Sequence, residues 1–315
     1  MIKVNNYIVS YAPHIRSERT TQKLMADVVI AMLPALIAGI YFFGLPVLIH
    51  TIVCVLACVA FEALWNVLLK KDNTISNLSA VVTGVLIAFN MPASAPYWMG
   101  IAGSAFAIII VKMFFGGLGH NIVNPALAAR AFMLICWPVH MTTFTQPKFT
   151  MGLTVDAVSG ATPLSAFAEN GTYIASYSDL FFGNIGGCMG EVSAFALLIG
   201  FVYLLARKVI TWRIPVIYVA VVYILTTLMG NDGLYMILSG GLMLGAIFMA
   251  TDYVTSPMSA TGHVIYALGL GVFTVVIRRF GALPEGVSYS ILLMNIATQF
   301  IDTYTKNRIY GKRKD

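Results

Sequence analysis

Charge is what this sequence has least of. Only 10% of its 315 residues are charged, against about a quarter in an ordinary soluble domain. So few charges cannot cover a water-facing surface. With 59% hydrophobic residues and a mean hydropathy of +0.84, most of the outer surface must face lipid. Cysteine is scarce too. The chain has four, too few for a disulfide scaffold and at no metal-ligand spacing, so no metal site is expected. Cys54 and Cys58 lie one helical turn apart in an apolar run and read as inert small hydrophobes. Cys136 and Cys188 fall near the two ends of a long polar stretch, where they could approach each other. Catalytic triads, Walker loops and dinucleotide fingerprints are missing. The first 25 residues hold no apolar core followed by a small-residue cleavage site, so no cleaved signal peptide is expected.

The formal charge of +6 does not point to nucleic acid, because the basic residues come in short stretches. These are Lys3 to Lys23, Lys70 and Lys71, Arg207 to Arg213, and Lys306 to Lys314. Cytoplasmic loops carry this pattern under the positive-inside rule. Between the basic stretches lie apolar runs near the roughly 20 residues a crossing helix needs. They cover 26–43, 47–69, 97–115, 120–137, 191–206, 214–230, 234–250, 263–278 and 287–304. A shorter run, 78–92, reads as a tilted or partly re-entrant tenth segment.

The expected fold is therefore all-α: a polytopic membrane protein of about ten helices in two inverted five-helix halves. Its divisions are a cytoplasmic segment 1–25, a first half 26–137, a loop 138–190, a second half 191–304 and a basic tail 305–315. Placing both termini inside puts the loop on the extracytoplasmic face. Arg278 and Arg279 resist this scheme, since they land at the outer end of the ninth segment. Either they face the protein interior, or that segment does not cross as drawn. Each half also contains a stretch rich in small residues that ends in proline, 78–92 and 238–257. Interrupted helices in matching positions mark a central pathway; ordinary small-residue packing gives the same pattern.

Charged side chains inside the membrane are costly and tend to be functional. Glu62 lies within the second segment, Arg130 in the fifth, and Asp252 at the end of the eighth. Glu62 either belongs to an ion or proton path with Asp252, or reaches the interface and pairs with a lysine such as Lys70. His50, His120 and His263 sit near segment ends and read as capping or interface residues. In GLGHNIVNPALAARAF (117–132), Asn124 followed by Pro125 is a helix-start signal. The glycines, Asn121 and Asn124 could also hold an anion or a polar ring at that helix end. Arg130 follows about two turns in and needs a partner such as a phosphate, carboxylate or carbonyl group. In the loop, DAVSGATPLSAF (156–167) presents a threonine, Thr162, among small neighbours. Such a hydroxyl reads as an exposed acceptor for a modifying enzyme, or as part of a plain polar turn.

These motifs resemble a known family, RnfD/NqrB: the RnfD subunits of the Rnf complexes and the related NqrB subunits of the sodium-pumping NADH:quinone oxidoreductases. The resemblance covers nearly the whole chain. It rests on NLSAVVTGVLIAFNMP (77–92), GLGHNIVNPALAARAF, DAVSGATPL, FMATDYVTSP (248–257) and PEGVSYSILLMN (284–295). The longer amino-terminal extension of the NqrB subunits is missing, which favours the Rnf branch. The resemblance implies that a flavin transferase attaches FMN through its phosphate to Thr162, with Asp156, Ser159, Gly160 and Ala161 completing the motif. It implies an electron-carrying subunit of a bacterial or archaeal inner-membrane complex that couples ferredoxin:NAD+ oxidoreduction to Na+ or H+ translocation. A second, non-covalent flavin, riboflavin, is implied in the membrane region, with Arg130, Asn121 and Asn124 as candidate lining. With no NAD site and no cysteine cluster for iron–sulfur on this chain, those parts are assigned to partner subunits. Two rivals share the fold class: a flavin-free small-molecule channel, for urea or ammonia for example, and a structural scaffold subunit. All three differ at Thr162.

Overall fold

The structure, a computed structural model, describes residues 19–70, 74–147, 160–281 and 285–305. Every regular element among them is helical. In order they are α1 (Thr21–Phe43), α2 (Leu45–Leu68), α3 (Ser79–Phe89) and α4 (Tyr97–Ala105), which runs on as a π-helical stretch, Phe106–Met113. Then come α5 (Pro125–Cys136), α6 (Pro138–Thr142), α7 (Pro163–Asn170), α8 (Tyr177–Phe182), α9 (Ala194–Ala206), α10 (Arg213–Leu228) and α11 (Gly233–Leu238). Last are α12 (Leu242–Leu244), continued by a π-helical turn over Gly245–Met249, α13 (Ala260–Phe280) and α14 (Val287–Thr305).

Local chemistry fixes the boundaries. Thr20 caps α1 by accepting from the Lys23 amide, and Gly44 ends it at φ 79°, a left-handed conformation that glycine adopts without a Cβ penalty. Asn124 caps α5 as its sequence suggests, accepting from the amides of Ala126 (3.0 Å) and Leu127 (3.3 Å). The run 120–137 was expected to be helical from its start, but the helix begins only at Pro125. Ahead of it Gly116, Gly117 and Gly119 hold φ values of 122°, 91° and 93°, which no helix contains. The run 234–250 is likewise broken, at Ser239–Gly241, where Gly240 takes φ 69°.

Among the described residues, α1, α2 and α13 are the helices long and apolar enough to cross a membrane. Their outer faces carry exposed Ile37, Leu56 and Phe273, which in water would be unfavourable and in lipid is not. Of the shorter apolar helices, α9 and α10 also turn exposed faces outward, at Val202 and Ile224. α3 is the most enclosed, with Thr83 through Phe89 all buried. α1 lies against α9, α2 against α3 and α4, α10 against α13, and α5 against α14.

The stretch between α5 and α9 is more than an external loop. It forms α6, α7 and α8, and then Ile185–Ser193 turns back into the core. There the Met189 amide donates to Met91 O (3.0 Å) and the Gly190 amide to Phe89 O (3.0 Å), capping the far end of α3. Outside the helical spans, Asp232 starts α11 and accepts from the Tyr177 hydroxyl and the Tyr235 amide. Those donors hold its carboxyl below the usual carboxylate range, and they tie α8 to α11.

All four cysteines are free: Cys54, Cys58 and Cys188 are buried and Cys136 is exposed, so Cys136 and Cys188 form no disulfide. The reservation about the arginines resolves in favour of the interior for one of them. Arg278 donates to the carbonyls of Met236 (2.7 Å), Ser239 (3.3 Å) and Glu285 (3.4 Å), while Arg279 is exposed.

The α2–α3 contact is close because Gly84 has no side chain: a Cβ there would sit 2.6 Å from the Val55 Cα. Gly84→Val should therefore destabilise the protein by at least about 1–3 kcal/mol through overpacking. A melting temperature of the purified chain in detergent equal to that of the parent would contradict this packing.

Candidate functional site

Thr162 sits at the head of α7. Its Oγ1 accepts from the Ser165 amide (3.1 Å) and donates to Ser165 Oγ (2.9 Å), the arrangement of an N-cap with Pro163 at the first helical position. Sequence reasoning expected an exposed hydroxyl. Instead Thr162 is 7% exposed, because capping turns its side chain in toward the helix. Gly160 precedes it, its amide donating to Phe144 O (3.1 Å), and the Gln146 side chain fills the place a Cβ would take. Asp156 and Ser159 lie outside the described residues.

Thr162, Gly160 and Ala161 form one wall of a cavity of about 530 Å³. That is within the roughly 300–1,000 Å³ typical of small-molecule sites. The rest of the lining includes Arg130 from α5, Phe144, Glu285 just before α14 and Tyr289 on it. The cavity thus offers a hydroxyl at a helix amino terminus, where the dipole favours an anion, one guanidinium, and apolar walls.

Arg130 is 6% exposed and collects partners from three other segments. It donates from Nη1 to Asn90 Oδ1 (2.7 Å) and from Nη2 to Cys188 Sγ (3.6 Å) and to Glu285 Oε2. Glu191 Oε2 lies 4.0 Å from Nη1. Glu191 Oε1 accepts from the Cys188 amide (3.1 Å), and its Oε2 has no hydrogen-bond partner among the described residues. One cation is therefore shared by two carboxylates. Cys188, Glu191 and Glu285 bring ligand-type atoms within 4.8 Å of one another, and the guanidinium is the cation that serves them.

Asn121 and Asn124 do not join Arg130. They line a different cavity, of about 80 Å³, together with Asp252, Lys112 and Ser79. Asn124 Nδ2 donates to Met249 O (3.3 Å). Asp252 accepts from Thr255 Oγ1 (3.1 Å) and from the Val254 amide (3.5 Å), with no cation partner among the described residues. Next to this cavity Glu62 is fully buried, and the lysine it pairs with is Lys112, not Lys70. Lys112 Nζ donates to Glu62 Oε2 and to Ser79 Oγ, both at 2.6 Å. Thr74 Oγ1 donates to Glu62 Oε1 (2.6 Å), itself accepting from Asn66 Nδ2 (3.0 Å). Lys70 is exposed, just past the end of α2.

The site residues that sequence reasoning passed over are Lys112, Glu191 and Glu285. Lys112 carried a usable signal, since it is an intramembrane charge within the run 97–115, the same criterion that picked out Glu62. Glu191 and Glu285 flank apolar runs, where a carboxylate usually marks only a helix end.

Removing one member of a buried ion pair strands the other. Lys112→Met should cost about 3–5 kcal/mol, and adding Glu62→Gln should recover most of that loss. Thermal unfolding of the two variants checks this; a double variant no more stable than the single one would refute it.

Residues 8–311 match the NQR2, RnfD, RnfE family. The chain is 52% identical to the D subunit of the Na(+)-translocating ferredoxin:NAD(+) oxidoreductase complex of Acetobacterium woodii, over 98% of this chain and 96% of that one. It is 40% identical to the D subunit of the proton-translocating ferredoxin:NAD(+) oxidoreductase complex of Clostridium ljungdahlii, over 99% and 98% of the two chains. To the D subunit of the ion-translocating oxidoreductase complex of Alcanivorax borkumensis it is 37% identical, over 97% of each. With a match that runs almost from end to end, the chain belongs to the NQR2, RnfD, RnfE family.

Proposed function

We propose that this chain is the RnfD-type subunit of a bacterial membrane complex that couples electron transfer between ferredoxin and NAD+ to Na+ or H+ translocation, and that it carries FMN as a phosphoester on Thr162. The observation that carries the second part is the position of Thr162 Oγ1 at the start of α7, on the wall of the 530 Å³ cavity. A phosphate esterified there would lie at a helix amino terminus, the favourable end of the dipole. The flavin ring would have apolar walls and one guanidinium beside it. A bound flavin passes electrons singly or in pairs, while the protein supplies position and electrostatics. The tether keeps the ring at a high effective concentration beside its redox partners. Because Thr162 is only 7% exposed, the transferase acts on a form in which 160–162 is lifted off the cavity.

The proposed topology is ten segments in two inverted halves, with the divisions expected from the sequence. Several contacts support it. Elements in equivalent positions of the two halves meet, α1 with α9 and α5 with α14. The α2 contacts with α3 and α4 have counterparts in those of α10 with the Gly245–Met249 turn and α13. Arg19 donates to Lys208 O (3.2 Å) and Arg207 pairs with Asp27 (3.3 Å). The start of α1 and the basic α9–α10 turn therefore share a side, which in this topology is the cytoplasmic one. Thr162 then faces the extracytoplasmic side.

A second flavin beside Asn121 and Asn124 does not fit the cavity as it stands. Its 80 Å³ is below the roughly 300 Å³ at the lower end of ligand sites. The Asn121 Oδ1, which has no partner among the described residues, offers one acceptor, but a tricyclic ring needs the lining side chains to move apart. The same region suits a small cation better. Glu62 and Asp252 are proposed as ion-path residues, with Lys112 as the charge between them.

Intact mass tests the attachment. The parent should carry the added mass of FMN less water and Thr162→Ala should not; covalent flavin persisting in the variant would sink the assignment. Flavin released on denaturing Thr162→Ala would report a second, non-covalent site. For the ion path, Asp252→Asn should slow coupled ion transport by the intact complex about tenfold or more. A charged hydrogen-bonding group contributes about 1.5–3 kcal/mol, and each 1.4 kcal/mol is a factor of ten. Parent-level transport would dismiss that role.

A further inference from the structure

Arg130 is built as more than a structural cation. Two of its contacts, to Asn90 Oδ1 and Cys188 Sγ, are to neutral groups that fix the guanidinium plane without neutralising its charge. Its charge is shared between Glu191 and Glu285, the two carboxylates it pairs with, and the cavity wall itself carries Arg130 with two carboxylates, Glu169 and Glu285. The two carboxylates are not equivalent. The Glu191 side chain is 4% exposed and is tied to the Cys188 amide. The Glu285 side chain is 22% exposed and lines the same cavity as Thr162. Glu285 is open to water from the cavity, whereas Glu191 is enclosed.

We infer that Arg130 is the electrostatic partner of the flavin on Thr162, and that Glu285 is the counter-ion Arg130 releases, by taking up a proton, when the ring gains an electron. The inference rests on the Thr162 reading above. Each electron that reaches the ring from a one-electron donor on a partner subunit, an iron–sulfur centre or a reduced flavin, adds one negative charge to a cavity that already holds an excess carboxylate. Low dielectric and limited water make that excess costly. A proton from the aqueous phase adds to the Glu285 carboxylate, giving the neutral acid. The charge of the cluster would then rise by one, offsetting the charge that reduction would add to a flavin held there, and would leave the Arg130 guanidinium to face it. Glu191 keeps the guanidinium in place throughout.

Other ionisable groups face this cluster. Glu169 of α7 and Tyr289 of α14 line the cavity, the Cys188 thiol touches Arg130, and Arg278 of α13 donates to the Glu285 carbonyl. Of these, Glu285 alone is both a carboxylate bonded to Arg130 and a wall of the cavity.

The test is potentiometry on the purified complex, with the flavin followed by its absorbance at several pH values after intact mass has established attachment. Arg130→Met should keep the covalent flavin and shift its midpoint potential downward, and Arg130→Lys should restore most of the shift. Glu285→Gln should raise the potential and flatten its dependence on pH, because the proton-accepting carboxylate is gone. A merely structural role for Arg130 would alter stability and leave the pH slope alone. Flavin attached in all variants, with potential and slope as in the parent, would overturn the inference while leaving the attachment standing. If Arg130→Met does not accumulate, Glu285→Gln decides, and an unchanged slope there is fatal. Absence of added mass in the parent would instead overturn the Thr162 reading itself.

Discussion

A guanidinium in an apolar interior must have its donors satisfied, and Arg130 meets that demand by drawing four distant segments together. Asn90 arrives from the end of α3, Cys188 and Glu191 from the stretch before α9, and Glu285 from the start of α14. Left unpaired, such a charge would cost several kcal/mol. The re-entry of Ile185–Ser193, the break before α14 and the Thr162 cavity all border this one group. The Thr162 cap of α7 lines the same cavity as Arg130 and Glu285.

The Lys112–Glu62 pair plays the corresponding part in the first half, with hydroxyls of Thr74 and Ser79 completing its bonding. Pairs of this kind are weak sources of net stability, since desolvation offsets much of the attraction. Their presence in a chain so poor in charge is better accounted for by function than by fold strength. Nearby Asp252 has only neutral donors.

Much of this was legible in the sequence, for physical reasons that differ from residue to residue. The cap at Asn124 and Pro125 depends on neighbours in sequence, so it could be read directly. The motif ending at Thr162 was readable as chemistry, but the burial of its hydroxyl was not, because it combines the cap on α7 with cavity lining that comes from α5 and α14. The partners of Arg130 were not legible, lying 40, 58 and 155 positions away. Lys70 was the sequence-near choice for Glu62, yet the fold supplied Lys112, 50 positions on. The re-entrant stretch before α9 has no apolar run to announce it. Gly190 lets it thread beside Phe89, and small residues leave no periodic trace.

α3 connects the two clusters. Its first residue, Ser79, accepts from Lys112, and Asn90, just past its last turn, accepts from Arg130. The helix is thus a buried spacer with a cation docked at each end. At 1.5 Å per residue the eleven steps from Ser79 to Asn90 put the docking points about 16 Å apart. Across that distance, at an effective dielectric constant near 20, two unit charges interact by about 1 kcal/mol. One added charge at the Thr162 end would then shift a binding equilibrium at the Glu62 end by less than about tenfold. Tighter coupling between the two ends requires α3 itself to move, and its polar ends, each held by one cation, are where such a movement would be felt.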